Sequence, residues 1–261
     1  MYVYLALAKH LHYQSEYLQA KATEITMNYT DFQKQIKLTR KSICRDYFHH
    51  HQDAIRIKKE ATVVRNLEKI FNAALKISNT KGFQAMSMRD LAKETGLSTG
   101  ALYAYFSSKN DLLNKMQSHR RNTVMQIMET YLSPESDVLE QLKTLIKVHL
   151  YLSEAMQPWF YFSYMESKNM SRSQREKLVE GSLATEKIIA DIIRRGQEKG
   201  VFKDHDADMT AVMIKALLQD WYLKHKKHTR RKITVDQYAD FIQQIMIPFL
   251  QKKRINRGHC D

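Results

Sequence analysis

Residues 87–109 read Ser87-Met-Arg-Asp-Leu-Ala-Lys-Glu-Thr-Gly-Leu-Ser-Thr-Gly-Ala-Leu-Tyr-Ala-Tyr-Phe-Ser-Ser-Lys109: a helix, a tight turn with a glycine, and a second short helix that ends against a third. Leu91 and Ala92 are the apolar groups of the first helix, and Gly96 permits the positive φ of a sharp turn. Leu97, Leu102 and Phe106 give the second helix one buried face, while Thr99, Gly100 and Tyr103 occupy the opposite one. Small or hydroxylated groups at a helix N-terminus approach base edges closely, and a phenol four residues on reaches a phosphate. The pattern is a helix-turn-helix, which points to DNA.

Outward from this stretch the helical signals continue. Leu67, Ile70, Phe71, Ala74 and Leu75 recur at i, i+3, i+4, i+7 and i+8, predicting a support helix over 64–80 that closes at Gly82. Ser87 starts the next helix as its N-cap, with Asp90 in the first turn. Ser98 caps the recognition helix, and Ser108 with Asp111 opens a long helix running to about Leu132. Ser133-Pro134-Glu135-Ser136-Asp137 breaks the chain, and helices are expected beyond it at about 137–154, 158–169, 172–199, 206–226 and 234–253. Before the motif, residues 1–60 form a helical N-terminal extension of unknown role. One apolar stripe there runs from Tyr4 to Leu18 and another through Phe32, Ile36, Ile43, Tyr47 and Phe48, and Met27 is an alternative start of the chain. His49-His50-His51 point in different directions on a helix and read as solvated surface, so no metal site is expected.

Seven glycines and three prolines in 261 residues leave too little punctuation for a sheet protein, so the fold class is all-α. The net charge of +14 suits a polyanionic partner, nucleic acid or an anionic membrane surface. Residues 1–120 hold 19 Lys and Arg against 10 Asp and Glu, and residues 121–261 hold 23 against 18, so the excess sits with the motif. Cys44 and Cys260 make neither a metal spacing nor a disulfide framework and fit a reducing cytoplasm. No run approaches the roughly 18 apolar residues of a membrane span, and Met1–Ala8 lacks the charged start of a signal peptide, so a cytoplasmic location is expected. No P-loop, metal-ligand spacing, Gly-x-Ser-x-Gly or paired carboxylate motif occurs, and neither enzyme activity nor a cofactor is expected.

The order Leu-Ala, then Gly-Leu-Ser, then Gly-Ala-Leu-Tyr-Ala-Tyr-Phe, then Ser-Lys resembles the DNA-binding domain of the TetR/AcrR one-component bacterial regulators over residues 64–115. Residues 120–261 are similar to that family only in length and helical pattern. The resemblance implies a three-helix helix-turn-helix domain at 61–115 and a helical effector-binding and dimerisation domain at 116–261. DNA contacts fall on Ser87, Arg89, Ser98, Thr99, Gly100, Ala101, Tyr103, Tyr105 and Lys109. Arg89 can grip a guanine edge or a phosphate, and Ala101 favours a thymine methyl. Tyr103 and Lys109 face phosphates, whereas Tyr105 either does so or packs beneath its helix. Met88 stands where the family often has a hydroxyl.

The last two long helices, with Ala211, Ile214, Leu217, Leu218 and Trp221 on one and Tyr238, Phe241, Ile242, Ile245 and Phe249 on the other, are expected to build a four-helix bundle with a second copy. Aromatic and Met-rich composition makes His149, Trp159, Phe160, Ser163, Tyr164, Glu166 and Trp221 candidates for the wall of a small apolar or amphipathic effector's pocket, with a filled aromatic core as the alternative. The basic run Lys224–Lys232 would lie away from the DNA in that architecture and reads as solvated surface, a partner or anionic effector being the alternative. The function implied is a sequence-specific transcriptional regulator, a ligand-responsive repressor acting as a homodimer on a palindromic double-stranded operator. The alternative is a DNA-organising or division-linked protein of the same fold without a small-molecule switch.

Overall fold

Scarce glycine and proline, abundant helix formers and apolar residues at helical spacing leave the chain little choice but helices. The structure, a computed structural model, describes residues 27–252 apart from 54, 56, 170 and 171. The expected stripe from Tyr4 to Leu18 lies outside the described residues. In chain order the helices are α1 (Tyr29–Ile36), α2 (Arg40–His50), α3 (Glu60–Lys81), α4 (Met88–Thr95), α5 (Thr99–Tyr103), α6 (Lys109–Tyr131), α7 (Val138–Ala155), α8 (Gln157–Met165), α9 (Arg172–Glu198), α10 (Ala207–Leu223), α11 (His225–Arg230) and α12 (Val235–Leu250). A single 3-10 turn, Glu166–Asn169, follows α8, and among the described residues pairing of the β kind is limited to one bridge between Phe202 and Gln251. The all-α class read from composition is the class observed.

Two boundaries differ from the sequence reading, each for a local reason. The second extension stripe is broken into α1 and α2 because Lys37 takes a φ of +43° and Thr39 opens a new helix through a capping box with Ser42. The basic run, read as solvated surface between the last long helices, folds as α11, described below.

The described chain packs as two compact units. One comprises residues 33–124 and 152–184, the other residues 27–32, 125–151 and 185–252, so α1, α6, α7 and α9 contribute to both. In the first unit, Val63, Leu67, Ile70, Phe71 and Ala74 of α3, Leu91 of α4, Leu102 of α5, Phe106, and Leu112 and Met116 of α6 form the core. The extension enlarges it: α2 buries Ile43, Cys44, Tyr47 and Phe48. The Tyr47 ring meets Phe71 edge-on at 5.3 Å and His119 at 5.4 Å, and lies flat on His51 at 4.2 Å. The His119 Nε2–H donates to the Ile43 carbonyl at 3.0 Å, tying α2 to α6. The three consecutive histidines are turned to different neighbours, as helical geometry demands: His49 lies 3.9 Å from Glu60, while His50 and His51 bond the carbonyls of Asp46 and Tyr47. From the other end, α8 joins the same core through Trp159, edge-on to Phe71 at 5.1 Å, and through Ser163 Oγ, which donates to Gln117 Oε1.

The second unit is built on α7, α9, α10 and α12, whose inward residues include Leu142, Ile146, Ile189, Ile193, Ile214, Leu218, Ala239, Ile242 and Met246. α10 and α12 run antiparallel: Tyr238 Oη donates to the Leu217 carbonyl at 2.9 Å, and at the other end the His205 ring stacks on Phe249 at 4.4 Å. Gly196 is demanded by close approach, since a Cβ there would lie 2.0 Å from Cδ2 of the buried Phe202. Tyr151 Oη lies 2.5 Å from Asp236 Oδ1 and 3.0 Å from the Met27 carbonyl, and Tyr29 N–H donates to the same carboxylate oxygen at 2.9 Å. Burial, with the hydrogen bond to Asp236 second and the Asp236 charge after it, pushes the Tyr151 phenol far above its ordinary range and keeps it a donor.

Two outcomes follow from the first unit. Burial holds the His119 imidazole at about 4, below its ordinary 6.5, so the unfolded chain takes up this proton first as pH falls. Its contribution to stability is full above pH 6.5 and is lost between about 6.5 and 4, to the extent of about 3 kcal/mol. His119→Gln keeps an N–H donor and removes the titration; denaturation midpoints measured across that window will flatten relative to the wild type, and parallel curves would refute the assignment. Tyr47 Oη is buried without a hydrogen-bond partner. Tyr47→Phe will therefore leave the urea midpoint level or raise it, whereas Tyr47→Ala will cost about 3–5 kcal/mol. Equal losses for the two would show that the hydroxyl, not the ring, stabilises α2.

Candidate nucleic-acid interface

A helix of five residues has no independent stability, so α5 depends on what brackets it. On the α4 side, Ser87 N–H and Oγ both donate to Asp90 Oδ2, at 2.8 and 2.7 Å, and Ser87 Oγ accepts from Asp90 N–H at 3.1 Å. These bonds from Ser87, with the ammonium of Lys81 at 3.0 Å, hold the Asp90 carboxyl well below the usual carboxylate range. Gly96 then turns the chain at φ +71°, the left-handed region that lacks a Cβ penalty only for glycine, and its N–H closes on the Ala92 carbonyl. Ser98 Oγ accepts from Ala101 N–H at 3.1 Å and starts α5, whose Leu102 is wholly buried.

What this scaffold presents is a small polar surface. Tyr103 is 49% exposed, Gly100, Ser98 and Arg89 are exposed, and Thr99 and Ala101 are half-buried. The Arg89 side chain has no ion-pair or hydrogen-bond partner among the described residues. The neighbouring carboxylates are occupied: Glu94 pairs with Lys76 at 2.6 Å and Asp111 with Lys115 at 3.0 Å. A free guanidinium in the first turn of α4, a glycine and hydroxyl at the start of α5 and a phenol one turn on are groups that meet base edges and phosphates.

Three sequence expectations change. Tyr105 is 2% exposed, and its oxygen accepts a hydrogen bond from Asn66 Nδ2 at 2.9 Å; it packs beneath the helix and leaves the candidate interface. The Ser87 hydroxyl proton is spent on Asp90, so this residue serves as a cap. Lys109 directs its ammonium to the carbonyls of Gln84 at 2.8 Å and Phe83 at 3.4 Å, lying 5.3 Å from the Phe83 ring, and so braces the loop between α3 and α4. Arg65 was not anticipated. It is exposed on α3 and near enough to Tyr105 to act on its phenol electrostatically, a cation flanking the motif. Its signal in the sequence was weak: one basic residue between the apolar positions of a support helix.

The effector candidates divide between the units. Trp159, Phe160, Ser163 and Glu166 belong to the unit that carries the motif. There Phe160 lies under the Arg120 guanidinium at 5.1 Å, and Glu166, 5% exposed, accepts the Phe83 backbone N–H at 3.1 Å. Tyr164 is 48% exposed and lines no interior, contrary to expectation, because it falls on the outer side of the short α8. His149 and Trp221 belong to the other unit, His149 Nε2 accepting from the buried Lys215 Nζ at 2.9 Å and Trp221 stacking on His228.

Comparison with known proteins agrees with this geometry. Residues 70–116 match the family model "Bacterial regulatory proteins, tetR family", and residues 135–246 match "Tetracyclin repressor-like, C-terminal domain". The chain is 22% identical to the HTH-type transcriptional regulator HbdR of Aromatoleum sp. (strain CIB), over 70% of this chain and 80% of that protein. It is 21% identical to the Fatty acid metabolism regulator protein of Bacillus subtilis (strain 168), over 61% and 84%. Its fold resembles the structure of the ketosteroid transcriptional regulator KstR2 of Mycobacterium tuberculosis, with a TM-score of 0.62, 19% identity and coverage of 72% and 96%.

The interface makes a graded set of expectations. Arg89→Ala will relax sequence choice at one position of each half-site, at about 1–3 kcal/mol, while Tyr103→Phe will weaken specific and unrelated duplexes alike. Tyr105→Phe will leave DNA affinity unchanged and lower stability by about 1–3 kcal/mol, because Asn66 loses its buried acceptor. Fluorescence anisotropy on operator and scrambled duplexes, with a urea titration, separates the three; a loss of DNA affinity for Tyr105→Phe would return it to the interface.

Proposed function

The chain belongs to the tetR family of bacterial regulatory proteins and is a DNA-binding transcriptional regulator, and from that premise we propose that it is a ligand-responsive repressor acting as a homodimer on a palindromic operator. The observation that carries the reading is the exposed face of α5, with Thr99, Gly100 and Tyr103 beside the unpartnered Arg89, held by the Gly96 turn. Such a module reads few base pairs and binds weakly alone, so two copies related by a two-fold axis are needed for an operator. Within this proposal residues 61–115 bind DNA and residues 116–261 sense and dimerise.

The dimer seam differs from the one the bare periodicity favours. Ala211, Ile214, Leu218, Trp221 and Ile242 are buried inside their own unit. Left exposed on the same two antiparallel helices are Met209, Val212 and Met213 of α10 and Phe241, Ile245 and Phe249 of α12. Water is an unfavourable neighbour for so many large apolar groups, and a second copy of the same pair would cover them as a four-helix bundle.

For the effector we propose a small apolar or amphipathic molecule with a hydrocarbon body, in keeping with relatives named for fatty acid metabolism and ketosteroids. Binding would favour a dimer whose recognition helices no longer match operator spacing. A second reading, a DNA-organising or division-linked protein without such a switch, is favoured by one observation: Ser163, Glu166 and Trp221 already have partners within the protein, in Gln117, the Phe83 amide and His228.

Light scattering and operator titration test the assembly together. Phe241→Glu and Ile245→Glu will give folded monomers with greatly reduced operator affinity, whereas Ile242→Glu, which buries a carboxylate, will cost several kcal/mol and unfold the unit. A wild-type monomer at micromolar concentration would overturn the dimer. Genome-wide binding then separates the two readings, a few sites beside adjacent genes supporting the repressor and many dispersed sites the alternative.

A further inference from the structure

Between α10 and α12 the chain carries an unusual density of positive charge. Lys226, Lys227, Arg230, Arg231 and Lys232 place five exposed cations in seven residues, and their side chains have no ion-pair or hydrogen-bond partner among the described residues. Lys224, at the start of the run, is paired with Asp220 at 2.7 Å. Lys226 with Arg230 and Lys227 with Arg231 are like charges four apart on α11 and the residue that closes it, a spacing that is mutually repulsive.

A solvated run would relieve this repulsion by spreading out, yet here the turn is fastened from beneath. His228 is 4% exposed, lies on the Trp221 ring at 5.0 Å with the planes 23° apart, and bonds Asp220 Oδ2 through Nε2 at 3.0 Å. Its carbonyl accepts the Ile233 N–H at 3.1 Å. Lys232 is held at φ +57°, a left-handed conformation that favours glycine, so the charge is retained where the backbone would prefer none. Lys226, Lys227 and Arg230 of α11, with Arg231 at its end, thus stand on a rigid turn, the members of each pair about 6 Å apart along the axis.

Cations kept close against their own repulsion fit a dense polyanion, whose counterions they displace. No large apolar side chain is exposed along the run, so nothing on it would enter a bilayer. We propose that α11 and the turn after it, read from the sequence as solvated surface away from the DNA, instead bind the phosphate backbone of duplex DNA independently of sequence. The proposal rests on the reading that this chain binds DNA and extends it to a second contact surface.

The test is a full-length variant carrying Lys226→Gln, Lys227→Gln, Arg230→Gln and Arg231→Gln, compared with the wild type and with Arg89→Ala. Affinity is measured across a salt series for an operator duplex with long flanks and for an unrelated duplex. All four positions are exposed, so the melting temperature reports whether folding is intact, and a second variant with Lys226→Arg and Lys227→Arg keeps the charge. The glutamine variant is expected to lose at least about tenfold in affinity for both duplexes at moderate salt, with the slope of log K against log salt reduced by about 3 to 4, while the arginine variant matches the wild type. An unchanged slope in the glutamine variant, with Arg89→Ala still relaxing operator choice, overturns the proposal and leaves the DNA reading intact. Retained DNA binding with lost co-flotation on phosphatidylglycerol vesicles overturns it in favour of a membrane surface. A wild-type protein that binds no duplex removes both.

Discussion

A recognition helix of five residues cannot hold itself together, and most of the first unit can be understood as compensation for that constraint. Its single fully buried anchor, Leu102, reaches a core made by α3, α4 and α6, and its start is set by Ser98 and the left-handed Gly96. The loop before α4 is fixed in turn by two long-range polar ties: Lys109 donates to its carbonyls, and Glu166 accepts the Phe83 amide. The position of Thr99 and Tyr103 is therefore decided by contacts made within the protein. Rigid support at one remove is what a protein needs to place a few side chains against base edges.

The N-terminal extension takes part in this support. In the first unit α2 adds Tyr47 to the aromatic group of Phe71, Phe106 and His119, where a small three-helix domain would otherwise end. Small domains bury a small fraction of their surface, so one more helix with four buried side chains is a substantial gain. In the other unit, Met27, Tyr29 and Phe32 are gathered around Tyr151, with Asp236 as the shared acceptor. A segment that looked like an appendage supplies core residues to both.

Polar groups in the second unit show the same economy. Asp220 serves both Lys224 and His228, and these bonds keep its carboxyl below the ordinary range despite the opposing effect of burial. The result is a stiff turn whose buried side is aromatic and whose outer side is cationic. Apolar residues follow a similar division on α10 and α12: one stripe is consumed by the unit's own core, and the other is left facing water.

Much of this was legible in the residues, for a physical reason. The Ser87–Asp90 capping box, the Gly82 and Gly96 stops, the Ser98 cap and the inward stripe of α3 arise from groups within four or so residues of each other. Local hydrogen bonding and helical periodicity suffice for them, and so the helix-turn-helix and the all-α class were determined by the sequence alone. Tyr105 could not be assigned that way, because its burial is decided by Asn66, 39 residues earlier, and Glu166 meets Phe83 across 83 residues. Periodicity identified apolar stripes on α10 and α12 but could not say which residues face their own core and which face outward, since a helix carries no record of where its neighbours pack. Which aromatics are core, which cations are free and which apolar face remains uncovered were decided only by tertiary structure, where distant helices compete for the same side chains.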